Sequence, residues 1–169
     1  MRIGLLSDTH GWIHPSVFKN FEGCDEIWHA GDIGSMDVLD RLKSFKKVRA
    51  VYGNIDDALM RRSLNENLRF TVEGLDVWIT HIGGYPGRYA PPVKNRIYEK
   101  PPGLFICGHS HIAKVMHDKS LGLLHINPGA AGYNGHHKYM TLIRFTILDA
   151  KVSKLELIEL GLRGKADIT

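Results

Sequence analysis

The sequence has few features of a secreted, disulfide-stabilised or membrane-bound protein. Its 169 residues include only two cysteines, Cys24 and Cys107, which are too few for a disulfide framework. No segment approaches the roughly 20 apolar residues that cross a bilayer. The apolar stretch at the N-terminus reaches Asp8 too early for a signal peptide. We therefore expect a cytoplasmic protein without a membrane partner.

Dense positive charge, internal repeats and low-complexity segments are lacking as well. The formal net charge is +4 and the sequence pI is near 9.1, yet no run of lysine or arginine exceeds two residues. A nucleic-acid surface normally carries a denser basic stripe, so nucleic acid is not supported as a partner. The mild positive charge suits a small anionic substrate. A chain of 169 residues can bury one core, and we predict a single domain over residues 1–169.

In the first third of the chain, short apolar segments alternate with helical patterns. Strands are predicted at Arg2–Leu6, Glu26–His29 and Val48–Tyr52, each ending in polar residues. Between them, helices are predicted at Pro15–Phe21 and Ser35–Phe45, the second with Ser35 as its N-cap. Strands that alternate with helices indicate parallel strands joined by right-handed crossovers.

The second half of the chain is mostly sheet. The predicted strands are Phe70–Val72, Val77–Thr80, Leu104–Cys107, Leu123–Ile126, Tyr139–Leu148 and Lys151–Leu160. The first two flank a turn over Glu73–Asp76, and the last two flank Asp149–Ala150. The glycine- and proline-rich segment Gly83–Gly103 is predicted as a long loop around a short helix near Val93–Tyr98. Together these patterns indicate an α/β (α+β) fold with two packed sheets and helices outside them.

Side chains that can bind metals follow five of the predicted strands. They are Asp8, His10, Asp32, Asn54, His81, His109 and His111. In extended backbone, residues two apart point the same way, so Asp8 and His10 are predicted to converge, as are His109 and His111. Each motif alone is weak, because a capping Asp, a turn or a surface His explains it equally well. Their repetition at five strand ends favours a metal site.

The types of ligand indicate a pair of divalent ions. Seven side chains are too many for one tetrahedral site, and no thiolates accompany them to suggest structural zinc. Imidazole suits Zn, Fe, Ni and Mn, whereas carboxylate and amide oxygens suit Mg and Mn. We therefore expect two divalent ions that share a bridging carboxylate. Manganese is the first expectation, with Mg, Ni, Zn or Fe as alternatives.

The order Asp-x-His, Gly-Asp, Gly-Asn-x-Asp, His, Gly-His-x-His resembles that of the calcineurin-like metallophosphoesterases. The short chain and the closing Asn127-Pro128-Gly129 are similar to the YfcE-type phosphodiesterase branch. This resemblance implies a four-layer αββα sandwich of two mixed β-sheets flanked by helices. It also implies two metal sites. Their ligands would be Asp8, His10, Asp32 and His111 for one ion, and Asp32, Asn54, His81 and His109 for the other, with Asp32 as the bridge.

The same resemblance implies the hydrolysis of a small phosphate ester, most simply a phosphodiester. A hydroxide held between the ions would attack phosphorus in line, with Asp32 and Asn54 as the catalytic side chains and Asn54 also contacting the phosphoryl group. The alternatives are a phosphomonoesterase with the same site, or a non-catalytic scaffold like the retromer subunit of this fold. A homodimer or a higher oligomer is also compatible with the resemblance.

The sequence departs from the family pattern beside Asn54. Ile55 occupies a position where family members commonly carry a histidine or cysteine, and isoleucine cannot transfer a proton. Asp56 is a weak candidate for the general acid, with helix capping as the alternative reading. Arg88 in the long loop is a candidate substrate-binding residue. The segment His136–Lys138 is predicted to be a solvated loop, with a supply of positive charge at the site as the alternative.

Overall fold

The computed structural model describes residues 1–164. Residues 165–169, the last part of the predicted domain, lie outside the described residues. The strands are β1 (Arg2–Leu6), β2 (Glu26–His29), β3 (Lys47–Ala50), β4 (Asn67–Val72), β5 (Leu75–Thr80), β6 (Gly84–Tyr85), β7 (Arg88–Tyr89), β8 (Leu104–Ile106), β9 (Ala113–Asp118), β10 (Leu123–Pro128), β11 (Tyr139–Leu148) and β12 (Lys151–Leu162). The helices are α1 (Ser16–Phe21), α2 (Met36–Phe45), α3 (Ala58–Ser63) and α4 (Pro91–Glu99).

Ten of these strands form two five-stranded mixed sheets. The first sheet has the order β12-β11-β1-β2-β3, and its β1, β2 and β3 run parallel. The second has the order β4-β5-β8-β10-β9, and its β5, β8 and β10 run parallel. Strands β6 and β7 pair separately as a small hairpin.

The main core lies between the two sheets. Trp28 and Phe145 of the first sheet pack in one cluster with Val77 and Ile106 of the second, and all four are fully buried. A second cluster joins α1 and α2 to the outer face of the first sheet. A third joins α4 to the outer face of the second. These three clusters confirm the four-layer αββα sandwich.

The termini of two helices follow from their sequences. Ser35 caps α2 as predicted, because its Oγ accepts a hydrogen bond of 3.3 Å from the N–H of Val38. Helix α4 begins at Pro91, two residues before the predicted helix. Proline is well suited to the first turn of a helix, where its missing N–H costs no hydrogen bond.

Other predicted boundaries were less accurate. The turn between β4 and β5 consists of Glu73 and Gly74 alone, both with positive φ, whereas the predicted turn ran to Asp76. Strand β3 ends at Ala50, and only an isolated bridge at Val51 continues it. Strand β9, helix α3 and the β6–β7 hairpin were not predicted. In the described part of the chain, no helix is long and apolar enough to cross a membrane.

Parallel strands bring their carboxyl ends to one edge of each sheet. The segments that follow β1, β2 and β3 therefore lie side by side. In the backbone, the N–H of Asp8 donates to the carbonyl of Gly31, and the N–H of His10 donates to that of Asp32. The segment after β5 joins the one after β8 in the same manner, because the N–H of Gly108 donates to the carbonyl of His81.

Candidate metal centre

Six of the seven predicted ligands form two adjacent groups at these strand ends. One group consists of Asp8, His10 and His111, and the other of Asp32, His81 and His109. Within each group the candidate ligand atoms lie within 4.8 Å of one another. Each group combines residues from both sheets, so the site lies where the two sheets meet.

The two groups are in direct contact through their carboxylates. Asp32 Oδ2 lies 3.2 Å from Nε2 of His81 in its own group and 3.8 Å from Nε2 of His10 in the other. Asp8 Oδ1 lies 3.2 Å from Nε2 of His111 and 3.9 Å from Nε2 of His81. A carboxylate placed in this way can contact two cations, which is the role that the resemblance gives to Asp32.

The ligands converge for a different reason from the one predicted. Asp8, His10, His109 and His111 have φ values of 55°, 50°, 68° and 58°, so their backbone is left-handed and not extended. Asp32 shares this conformation with a φ of 54°. The left-handed region is rare for residues other than glycine, although Asp and His tolerate it better than most. The alternation argument for the Asp8–His10 and His109–His111 pairs was therefore wrong.

His81 is oriented by a hydrogen bond on the far side of its ring. Its Nδ1 lies 2.8 Å from the carbonyl oxygen of Ala30, so Nδ1 carries a proton and the neutral ring presents its lone pair on Nε2. That Nε2 is buried and has no hydrogen-bond partner among the described residues. Metal-binding imidazoles commonly donate their second N–H to a carbonyl in this way.

The ionisable side chains of the site shift one another's pKa values. Burial of Asp8 opposes its ionisation, but the facing His10, His111 and His81 hold its pKa well below the usual range. Burial also opposes ionisation of Asp32, and His81 outweighs it and lowers the pKa of that carboxyl. The nearby carboxylate of Asp8 raises the pKa of His10. Two buried, ionised carboxylates therefore favour the binding of positive charge at this site.

These residues fit divalent cations. Oδ1 of Asp8 and Nε2 of His81 are buried acceptors without a hydrogen-bond partner in the described part of the chain, and such atoms are costly to leave unsatisfied. Nε2 of His10 and Nε2 of His111 lie only 3.3 Å apart, which brings two imidazole nitrogens to one point. Cations held by the two groups would satisfy all of these atoms.

The Asn54 segment lies at the edge of the second group. Asn54 is exposed and lines the same cavity as His81. Its neighbour Ile55 donates its backbone N–H to Asp32 Oδ1 at 3.0 Å and leaves its side chain 46% exposed. The hydrophobic side chain thus lies beside the centre and offers no proton donor.

Asp56 serves as an anchor for the surrounding loops. Its buried carboxylate accepts hydrogen bonds from the backbone N–H groups of Ile33, Gly34 and Gly53. The cap of α3 is the next residue, Asp57, whose Oδ1 accepts from Met60. The capping alternative for Asp56 was therefore wrong, and its use of three backbone donors gives no support to a role as general acid.

Arg61 is a residue at this site that the sequence did not single out. Its Nε donates to the carbonyl of Asp56 at 2.7 Å, and its Nη2 donates to that of Asn54 at 2.9 Å. The guanidinium also lies over the ring of Tyr52. Arg61 therefore fixes the loop that contains Asn54 through hydrogen bonds to its backbone carbonyl groups. An arginine seven residues after Asn54 carries no local signal of this contact.

Two other polar side chains fasten the segments that carry the ligands. Asn127 donates to the carbonyl of Gly108 at 2.8 Å and to Ser110 Oγ at 3.1 Å. His29 bonds to Thr9 Oγ1 at 2.9 Å and to the N–H of Gly31 at 3.2 Å. Complete burial lowers the pKa of His29 to about 4, so this imidazole is neutral at pH 7.

The predicted solvated loop 136–138 contains a buried residue. His137 is only 8% exposed, and its Nδ1 lies 3.2 Å from Nδ1 of His111. Burial lowers the pKa of His137. The prediction fails at this residue because a run of polar residues in the sequence does not reveal which of them turns inward.

Three cavities open beside the centre. The first two share Ile82 in their walls, and the third, of about 250 Å³, is lined by His109, His111 and His137. The first, of about 310 Å³, has polar walls that include Asn54, Arg61 and His81. The second, of about 250 Å³, runs from His109 over a largely apolar wall. The remaining residues of that wall include Tyr85, Ala90, Ile112 and His125.

Arg88, the predicted substrate-binding residue, lies elsewhere. It is exposed on β7, where it pairs with Tyr85 across the small hairpin, and it does not line either of the first two cavities. The basic side chains that do line them are Arg61 in the first and Lys114 in the second. The geometry therefore gives Arg88 no contact with the centre.

Comparison with known families gives a match over most of the chain. Residues 1–150 match the calcineurin-like phosphoesterase superfamily domain. A probable metallophosphoesterase of Methanocaldococcus jannaschii is 34% identical over 140 residues, which cover 77% of this chain and 68% of the relative. A probable metallophosphoesterase of Methanothermobacter thermautotrophicus is 31% identical over 135 residues and covers 77% of each chain.

Solved structures show the same fold. A structure described as a novel archaeal phosphodiesterase has a TM-score of 0.73 at 20% identity and covers 95% of this chain and 100% of its own. The Vps29 protein of Entamoeba histolytica in complex with zinc has a TM-score of 0.70 at 19% identity and covers 94% of this chain and 99% of its own. At these identities the likeness extends to the fold alone.

Proposed function

The chain belongs to the calcineurin-like phosphoesterase superfamily, and on that premise we propose that it is a phosphodiesterase that uses two divalent ions. The candidate ligands, grouped as Asp8–His10–His111 and Asp32–His81–His109, support this proposal. Bound divalent ions would polarise the phosphoryl group and lower the pKa of bound water to about 7. Manganese is the ion we propose first.

The residues of the chain would then divide the remaining tasks. Oδ2 of Asp32 faces Nε2 of His81 in one group and Nε2 of His10 in the other, so Asp32 would link the two groups. Asn54, at the rim of the polar cavity, would donate its amide N–H to a phosphoryl oxygen. Arg61 would fix Asn54 for that contact through the backbone carbonyls that it already binds.

The observation that carries the diester assignment is the pair of cavities. A phosphodiester has two organic arms on its phosphorus, and the two cavities that share Ile82 lie beside the candidate ligands. The polar cavity suits an arm with hydroxyl or charged groups, and the apolar one suits a planar or hydrophobic arm. A monoester would occupy only one of them.

The leaving group is expected to depart without a side-chain acid. Ile55 cannot protonate it, and the carboxylate of Asp56 is engaged with three backbone N–H groups. The loss of general acid assistance typically reduces a rate by about 10²–10⁴-fold. The enzyme should therefore favour esters with good leaving groups.

A matrix of metals and substrates tests the proposal. Metal-free protein would be loaded with Mn, Mg, Ni, Zn or Fe and offered bis(4-nitrophenyl) phosphate and 4-nitrophenyl phosphate. We expect turnover with at least one metal and a higher kcat/KM for the diester. A preference for the monoester would support the phosphomonoesterase alternative. Metal binding without any turnover would support the scaffold alternative.

The Asp32→Asn variant tests the site itself. Asparagine keeps the shape of the side chain and the Oδ1 acceptor for Ile55 but removes the charge between the two groups. We predict a loss of activity of at least about 10²-fold at saturating metal, by analogy with the loss of a charge-stabilising group in other active sites. Asp40→Asn, the same change at an exposed position on α2, is the control. Full turnover by the Asp32→Asn protein would contradict the assignment.

A further inference from the structure

We propose that His137 is a positioning residue that sets the tautomer of His111 and so aims its Nε2 at the metal centre. The inference rests on the proposed metal centre, because His111 is one of its candidate ligands. It adds a residue that the family pattern of motifs does not contain. His137 touches no candidate ligand atom of the centre and acts only through the ring of His111.

The position of the proton on His137 follows from its contact with Gly132. Its Nε2 lies 3.0 Å from the carbonyl oxygen of Gly132. A carbonyl oxygen can only accept, so Nε2 of His137 carries the proton and donates it. In a neutral imidazole the other nitrogen is then an acceptor. Nδ1 of His137 faces the ring of His111, and in the neutral form of His137 it presents a lone pair to that ring.

The contact between the two rings then fixes the position of the proton on His111. Nδ1 of His137 lies 3.2 Å from Nδ1 of His111. Since the first nitrogen is an acceptor, the second must be the donor, and His111 carries its proton on Nδ1. Its Nε2 then presents a lone pair, 3.2 Å from Asp8 Oδ1 and 3.3 Å from Nε2 of His10. That lone pair is the one a metal ion needs.

The surrounding chain is built to hold the two rings together. Gly135 passes so close that a Cβ there would overlap Nδ1 of His111 and crowd Nδ1 of His137. The carbonyl of His137 accepts a hydrogen bond of 2.9 Å from Nε of Arg163. The rings meet edge to face with centroids 5.2 Å apart. The contact is therefore enclosed on several sides.

His81 provides an internal comparison for this reading. It obtains the same tautomer directly from a carbonyl oxygen, that of Ala30. For His111 the effect is indirect. The Gly132 carbonyl fixes the proton of His137, and His137 in turn fixes the proton of His111. Each candidate group thus contains one imidazole whose tautomer is fixed by a hydrogen bond. The partner is a backbone carbonyl for His81 and a second imidazole for His111.

Two substitutions at His137 separate the positioning role from a structural one. His137→Asn places an amide oxygen where Nδ1 lies, so it can accept from His111 but cannot reach Gly132. His137→Gln places its amide where Nε2 lies, so it can donate to Gly132 but offers nothing to His111. His136→Leu, at the exposed neighbouring residue, is the control.

Metal affinity is the first readout. Isothermal titration of metal-free protein with Mn²⁺ and with Zn²⁺ would give the affinity of each site. We expect His137→Gln to weaken one of the two sites by about 10- to 100-fold, the usual effect of removing a partner of a metal-binding histidine. His137→Asn should restore most of that affinity, and His136→Leu should match the wild type. Thermal unfolding of each variant would confirm that it folds.

The second readout needs no metal and separates this inference from the proposed function. Long-range ¹H–¹⁵N correlation spectra of the metal-free protein report which nitrogen of each imidazole is protonated. We expect Nδ1–H for His111 in the wild type and in His137→Asn, and a shift towards Nε2–H in His137→Gln. This result would stand even if no diester were hydrolysed.

The inference is overturned by any of three results. One is an Nε2–H tautomer for His111 in the wild type. Another is a His137→Gln protein that binds metal as tightly as the wild type. The third is a His137→Asn protein that binds no better than His137→Gln, which would mean that the bond to Gly132 is what matters.

Discussion

At the scale of single residues, the centre depends on backbone conformations that side chains usually avoid. Five candidate ligands, Asp8, His10, Asp32, His109 and His111, have positive φ. The residue types of the ligands could be read from the sequence, and so could their position after strands. Their left-handed backbone could not, because Asp and His occur in turns, caps and extended segments alike. The same limit applies to His137, whose burial depends on distant parts of the chain.

Ile55 offers a direct test of how the leaving group departs. We predict that Ile55→His raises kcat/KM for an alkyl diester by up to about 10²-fold, because histidine can supply a proton that isoleucine cannot. The backbone N–H that donates to Asp32 remains in place. A 4-nitrophenyl diester should respond little, because its leaving group needs no proton. Initial rates for both esters measure the effect.

Ile55→Leu is the matched control for that experiment, since it alters shape without adding a titratable group. An equal change for alkyl and aryl esters in the Ile55→His protein would show that the residue affects substrate binding and not proton transfer.

At the scale of secondary-structure elements, most of the architecture could be predicted from the pattern of apolar and polar residues in the sequence. The strands β1 and β2 and the β11–β12 hairpin were predicted nearly to the residue, because each is a clear apolar or alternating run between turn signals. Strand β9 was missed. It begins two residues after His111 and carries a mixture of small, charged and apolar residues. It forms the edge of the second sheet by antiparallel pairing with β10, the next strand along the chain.

The pairing of β2 with β3 carries a pH-dependent contribution to stability. Burial of Glu26 favours the neutral acid, but Arg49, Lys47 and Trp28 outweigh it and lower the pKa of Glu26 from 4.5 to about 2. Because the pKa falls on folding, the stabilisation is present above pH 4.5 and is lost as the pH falls towards 2. One pKa unit corresponds to about 1.4 kcal/mol, so the contribution is at most about 3 kcal/mol.

We therefore predict that Glu26→Gln destabilises the protein at pH 7 by up to about 3 kcal/mol and that this difference shrinks between pH 4.5 and pH 2. Urea unfolding of both proteins across this range measures it. Glu22→Gln, on an exposed residue of the same region, should follow the wild type at every pH. A difference that stays constant with pH would contradict the assignment to ionised Glu26.

Asn127 links β10 to the segment that carries His109 and His111. Replacing it with leucine, which has a similar volume, removes the hydrogen bonds to Gly108, Ser110 and Gly129. Buried groups that lose their partners cost about 1–3 kcal/mol each. We predict a loss of about 2–4 kcal/mol in the free energy of unfolding, measured by urea denaturation of the metal-free protein. An unchanged midpoint would show that these bonds are replaced by water.

At the scale of the whole molecule, the candidate ligands come from both sheets. Asp8, His10 and Asp32 follow strands of the first sheet, whereas His81, His109 and His111 follow strands of the second. Ions bound among them would tie the ends of the two sheets together. Binding to the folded state alone raises its stability, by about 2.7 kcal/mol when the free metal is at 100 times its Kd.

We accordingly predict that Mn²⁺ raises the Tm of the protein in a concentration-dependent way and that EDTA reverses the increase. Differential scanning calorimetry with a series of Mn²⁺ concentrations measures it. The Asp32→Asn protein should show a much smaller increase, and Asp40→Asn should behave as the wild type. The same increase in all three proteins would indicate non-specific binding elsewhere on the surface.

The left-handed ligands also bear on how such a chain can evolve. A left-handed conformation costs a residue with a side chain roughly 1–2 kcal/mol, and at these positions the metal centre would offset that cost. Once selection for the metal centre is relaxed, glycine or asparagine at Asp8, His10 or His109 becomes a stabilising change. A descendant lineage that kept the fold for another purpose would be expected to lose these residues early and to gain thermal stability as it did so.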